Sequence, residues 1–104
     1  LIIRGINVFP SQIESVILSM KEFEPQYRLI IDRVDNLDTL KVQAELRNDY
    51  FKGDMGQLAE LENLLAHQLK SVLSIRAKVQ LMPSGSLERS LSKSNRVIDK
   101  RKFE

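Results

Sequence analysis

Two apolar rhythms alternate along this chain, and their order restricts its fold more than any other feature. Leu40, Val42, Ala44 and Leu46 alternate with Lys41, Gln43, Glu45 and Arg47. That period of two gives a strand one apolar and one solvated face. Tyr27 to Val34, with Leu29-Ile-Ile31 at its centre, is the strand before it, and Asp35-Asn-Leu-Asp38 between them is turn chemistry. The two predict a hairpin.

On either side of the hairpin the rhythm changes to that of a helix. Ile13, Val16, Ile17 and Met20 recur at i, i+3, i+4 and i+7, behind a Ser11-Gln-Ile-Glu14 capping box and ending near Phe23, before Pro25. Leu58, Leu61, Leu65, Leu69 and Val72 mark one face of a second helix from about Met55 to Val72. Asn48 to Gly56 reads as a polar loop. A short strand, Leu1-Ile-Ile-Arg4, runs into a turn at Gly5, and Pro10 stops any continuation of it. Ala77, Val79 and Leu81 form a last strand, ended by Pro83. The order is β-α-β-β-α-β. Each helix has one apolar stripe and each hairpin strand one apolar face, so the expected class is α+β, a two-layer sandwich of the ferredoxin-like kind with a basic C-terminal tail. Such a fold hosts unrelated functions and does not by itself name one.

Length and composition bound the possibilities. A chain of 104 residues forms one domain with one modest core. Residues 1–83 are expected to be the βαββαβ core and 84–104 a loop and basic tail of the same domain. No apolar run approaches the roughly 20 residues of a membrane helix. The opening lacks the pattern of a secretory leader, and a strand-like start without Met suggests a piece of a longer protein. With no cysteine and one histidine, disulfides, thiolate sites and histidine-rich metal centres are excluded, and a cytoplasmic location fits. No metal ligand set is expected. Asp32, Asp35 and Asp38 lack the spacing of a calcium loop, so that turn reads as structural. His67 reads as an exposed helix residue.

Charge is concentrated at the end of the chain. Six of the sixteen basic residues (Arg89, Lys93, Arg96, Lys100, Arg101, Lys102) follow residue 87, whereas residues 1–87 carry ten basic and eleven acidic side chains. Lys93 is the sharpest candidate: a compact cation in a Ser/Gly-rich loop, able to meet a developing anion. Most loop lysines are simply solvated. Gly5 could admit a ligand close to the backbone, or simply make a turn. Arg96, Lys100, Arg101 and Lys102 could bind phosphate. Nucleic acid is disfavoured, because neither central strand carries an aromatic stacking pair.

Two blocks then carry a resemblance. Ile2-Ile-Arg-Gly-Ile-Asn-Val-Phe-Pro-Ser-Gln-Ile-Glu14 closely resembles the first motif of the C-terminal domain of phenylacetate–CoA ligases, members of the adenylate-forming superfamily. Lys93-Ser-Asn-Arg-Val-Ile-Asp-Lys-Arg101 resembles that domain's last motif, a lysine followed by Arg-Val-x-Asp-x-Arg. The resemblance implies an enzyme that joins ATP and an aryl acid into an acyl-adenylate and then passes the acyl group to coenzyme A. It implies Lys93 as the adenylation lysine, and Arg4, Gly5, Ile6 and Asn7 as the segment lining the pantetheine channel. It also implies an N-terminal adenylation domain of the same chain as partner. That domain would hold most of the ATP, Mg2+ and coenzyme A sites and the aryl acid, with a hinge aspartate upstream of Leu1. This piece alone would be inactive. Around Lys93 the family usually reads Pro-Arg-Ser-Glu-Gly-Lys-Ala where this chain has Glu88-Arg-Ser-Leu-Ser-Lys-Ser94.

A rival reading is a βαββαβ regulatory module that binds a small molecule and forms a homodimer edge to edge. It gives Lys93 no role. A nucleic-acid module using the basic tail would bind in a steeply salt-dependent way.

Overall fold

The computed structural model describes residues 1–51, 54–87 and 96–101. Strand β3 (Phe23–Val34) and strand β4 (Leu37–Leu46) form the expected antiparallel hairpin. Asp35 and Asn36 close it with φ of 52° and 65°. A two-residue turn with both φ positive matches the right-handed twist of the strands it joins, and Asp and Asn tolerate that region best after Gly. Strand β5 (Lys78–Met82) runs parallel to β4, and strand β6 (Val97–Asp99) runs parallel to β3, giving the sheet order β5-β4-β3-β6.

Helices α1 (Pro10–Ser19) and α3 (Met55–Leu73) cover one face of this sheet. Ile13, Val16 and Ile17 from α1 and Leu65, Leu69 and Leu73 from α3 meet Tyr27, Leu29, Ile31, Leu40, Val42, Ala44 and Leu46 in one buried cluster. The α+β two-layer architecture is therefore the observed one. At about 2–5 kcal/mol per large side chain truncated to alanine, this cluster is the main source of stability.

Several local expectations are corrected. The first helix starts two residues earlier than a Ser11 cap would allow: Phe9 is the cap and Pro10 takes the first position, where a missing N–H costs nothing. Gln12 rather than Glu14 reaches back, its side chain accepting the Phe9 N–H at 3.0 Å. The helix stops at Ser19, and β3 begins at Phe23, so Pro25 lies inside a strand. The register shifts between Phe23 and Tyr27, and such an irregularity tolerates a residue that cannot donate to the ladder. A short helix, α2 (Asn48–Phe51), occupies part of the stretch read as loop. In α3 Leu73 is buried and Val72 is exposed, so the apolar stripe drifts with the true 3.6-residue period. Asp54 caps α3, accepting the Gln57 N–H at 2.8 Å.

The first strand differs most from expectation. Ile2–Ile3 (β1) pairs only with Ile6–Asn7 (β2), in a miniature hairpin of its own. The outer position beside β3 goes to β6, from the stretch read as basic tail.

Candidate functional site: two turns anchored by one strand

Arg4 and Gly5 form the turn of the β1–β2 hairpin, with φ of 53° and 76°. A Cβ added at Gly5 would meet no atom within 4 Å, so space is open above it and only the backbone angle asks for glycine. Ile6 packs against the core while Asn7 is exposed. Of the four residues expected in a channel, three are thus at the surface and one supports them from below.

A hairpin with strands of two residues cannot hold its own shape in water, and this one is held from outside. The Arg4 backbone N–H donates to Asp38 Oδ2 at 3.2 Å, and Arg4 Nε donates to the Asp38 carbonyl at 2.7 Å. Asp38 also accepts from Arg33 Nε at 2.9 Å and Arg101 Nη1 at 3.0 Å. Arg101 Nη1 donates at 2.6 Å to the carbonyl of Ile2, and its Nε and Nη2 grip the two Asp99 oxygens at 3.0 and 2.8 Å. Two-pronged guanidinium–carboxylate contacts of this kind fix orientation as well as charge. The Arg33 bond, helped by the Arg4 N–H, holds the Asp38 carboxyl below the ordinary carboxylate range. Bonds from Arg101 do the same for Asp99, and the Asp99 and Asp38 carboxylates hold Arg101 more firmly protonated than usual.

The second turn follows β5. Gly85 has φ of 83°, again with nothing within 4 Å of an added Cβ. Ser86 N–H donates to the Pro83 carbonyl at 3.1 Å, closing the turn. Beneath it lies Glu45, completely buried. Its two oxygens accept the Gly85 and Leu87 N–H groups, each at 2.8 Å. Converging backbone N–H groups are a common way to satisfy a carboxylate out of water. The alternation of β4 predicted Glu45 on a solvated face; the chain after Pro83 covers it.

The last motif is mostly scaffold. Arg96 stacks over the Tyr27 ring at 4.8 Å from its centroid, with Glu14 of α1 3.7 Å away. Val97 is partly buried against the core. The Lys100 N–H extends the β6 pairing to the Ile31 carbonyl at 2.7 Å. Arg96 and Arg101, read from sequence as phosphate binders, are therefore committed to groups of this same chain, and Lys100 stays exposed. Lys93 lies outside the described residues, as do Arg89 and Lys102. His67 is exposed, as expected.

Sequence reasoning missed Asp38, Arg101 and Glu45 as organisers of these turns. The partners that tie them to the turns lie 34 to 99 positions away along the chain, and no local pattern encodes that. A hint for Arg101 was the Asp99-x-Arg101 spacing, since residues two apart in extended backbone share a side.

Among the described residues no helix is long and apolar enough to cross a membrane, and no three or more metal-capable side chains gather in one place.

Comparison with known proteins supplies the family. The chain is 41% identical over 101 residues to a phenylacetate–coenzyme A ligase of Pseudomonas putida, spanning 97% of this chain and 23% of that one. It superposes on a crystal structure of a domain of phenylacetate–coenzyme A ligase from Bacteroides vulgatus with a TM-score of 0.90 and 34% identity, covering 100% of this chain and 94% of that one. It also superposes on 2-hydroxyisobutyryl-CoA ligase, in complex with 2-HIB-AMP and CoA in the thioesterification state. There the TM-score is 0.88 and the identity 31%, over 95% of this chain and 20% of that one. The family model for the AMP-binding enzyme C-terminal domain matches residues 5–101. Fold and nearly the whole length agree: the chain belongs to the AMP-binding enzyme C-terminal domain family.

Proposed function

We propose that this chain is the mobile C-terminal domain of a cytosolic aryl-acid CoA ligase, acting on phenylacetate or a close analogue. The complete enzyme forms an acyl-adenylate from ATP and the acid, releasing pyrophosphate, and the coenzyme A thiol then displaces AMP to give the thioester. The observation that carries this reading is the placement of the two turns within a chain of this family. Asp38 and Glu45 stand seven residues apart on β4, about 23 Å at roughly 3.3 Å per residue. An odd separation also puts them on opposite faces of the sheet. A rigid domain whose two functional turns are that far apart serves one reacting centre with both only by turning between steps.

In this reading Lys93, carried on the segment that follows the Glu45-anchored turn, reaches the reacting centre in the first step. Its ammonium stabilises charge shared between the acid's carboxylate and the α-phosphate. In the second step the Arg4–Gly5 turn faces the centre, and the open space above Gly5 admits the pantetheine arm, with Ile6 and Asn7 completing the wall. ATP and coenzyme A are substrates here, bound mainly by an N-terminal adenylation domain of the same chain. Asp38 and Asp99 are saturated by guanidinium and amide donors, an arrangement that does not suit a cation. We therefore assign Mg2+ to the rest of the enzyme and give this chain no step through it.

The test is acid-dependent ATP–pyrophosphate exchange on the full-length protein, with phenylacetate and a panel of related acids. Exchange with an aryl acid is expected, and Lys93→Ala should abolish most of it. Unchanged exchange in Lys93→Ala removes the lysine assignment. No exchange with any acid overturns the ligase reading and returns attention to a regulatory module.

A further inference from the structure

We propose that Asp38 and Arg101 are positioning residues for the thioester-forming half of the reaction: they hold the Arg4–Gly5 turn in the shape that a thiol-bearing substrate needs, and take no part in adenylation. The inference rests on the function proposed above.

Three observations carry it. The β1–β2 hairpin has only the pairs Ile2↔Asn7 and Ile3↔Ile6, too few to set the turn by themselves. Arg4 adopts a left-handed φ without being glycine, a conformation that persists only where surrounding contacts impose it. Those contacts converge on one group: Asp38 takes the Arg4 N–H, its carbonyl takes the Arg4 Nε, and Arg101 ties the Ile2 carbonyl to the same carboxylate. Arg101 itself is anchored by Asp99 of β6, and its side chain is only 6% exposed. Its guanidinium is thus a fixed bracket joining the turn, the start of β4 and β6.

The bracket acts on one turn only. The other turn hangs from Glu45, at the far end of β4 and on the other face. Loosening Asp38 or Arg101 leaves that anchor in place. Lysine cannot replace Arg101, because a single ammonium cannot span Ile2, Asp38 and both Asp99 oxygens in one plane.

The experiment compares the two half-reactions in the full-length enzyme carrying Asp38→Asn or Arg101→Lys. Pyrophosphate exchange reads adenylation, and single-turnover transfer of a preformed adenylate to coenzyme A reads thioester formation. Exchange should match the parent while transfer falls by about 100-fold, the scale of loss when reacting groups are displaced by about 1 Å. Asp99→Asn, which slackens the bracket from its far side, should give an intermediate loss in transfer. Intact exchange also reports that the domain is folded. A parallel fall in both half-reactions would assign these residues a general structural role and overturn the proposal, as would transfer equal to the parent. Failure of the ligase reading itself is a different result: a parent enzyme with no acid-dependent exchange.

Discussion

The Arg4–Gly5 and Ser84–Gly85 turns are built to the same plan with different materials. Each has a glycine at positive φ beneath open space, and each hangs from a carboxylate of β4. At the first turn the carboxylate is Asp38, gathering the side chains of Arg33 and Arg101 and the Arg4 backbone N–H. At the second it is Glu45, fully buried, with the Gly85 and Leu87 N–H groups on its two oxygens. The first turn is held by charge, which solvent and salt reach from the Arg33 side. The second is held by desolvated hydrogen bonds, which are costly to leave unmade. Rigidity is reached by two routes in one small domain, and the two should fail under different insults.

The largest expected effect comes from Glu45→Ala. It leaves the buried Leu87 N–H and the part-buried Gly85 N–H without their acceptor, and should lower unfolding free energy by about 3 kcal/mol, within the range for unsatisfied buried donors. Denaturant unfolding of the 104-residue domain measures it; a loss near zero would mean that Glu45 is not the anchor of that turn. Gly5→Ala and Gly85→Ala come next and should cost about 1 kcal/mol each, the price of a left-handed φ for an L residue, because neither new methyl meets a neighbour. Unequal costs would show that the turns differ in backbone strain as well as in anchoring.

Acid should separate the anchors further. The folded carboxyls of Asp38 and Asp99 titrate below the ordinary range, so their contribution is complete above about pH 4. It is lost as the pH falls through the folded values. Thermal unfolding followed from pH 7 downward should show this loss, and Asp38→Asn should flatten the profile. An unchanged slope in that variant would deny Asp38 its charged role. Smallest of all, raising salt from 0.1 to 1 M should slightly lower the stability of the parent domain but not that of Asp38→Asn, because screening reaches the Arg33–Asp38 pair, whose guanidinium side is 39% exposed. Equal salt responses in the two proteins would put the screened charges elsewhere.

What the sequence conveyed depended on whether the responsible contacts were local. The hairpin and both helices were readable because each buries one face, and burial writes its period into the residues: Leu40 to Leu46 in twos, Ile13 to Met20 in threes and fours. Strand β6 was not readable. Its three residues are too few to show a period, and its neighbours Arg96, Lys100 and Arg101 look like a solvated run. Pro25 argued against a strand that begins at Phe23, and the register shift that accommodates it has no signal of its own. Glu45 looked solvent-facing because alternation records which face a residue takes, and cannot record that a later segment covers that face. Gly5 was readable as a turn and as part of a motif; its support by Asp38 and Arg101 depends on the tertiary fold.

The bond from Arg101 to the Ile2 carbonyl joins positions 99 apart, and that span has a consequence for synthesis. On a ribosome adding about 5–20 residues per second, the Arg4–Gly5 turn emerges ahead of β6 and Arg101 and waits until they have followed. Until then its β1–β2 pairing is too short to persist. Within this domain the turn is made before the contacts that set it, so an early stop just short of Arg101 would leave the helices and hairpin formed and the Arg4–Gly5 turn unfixed.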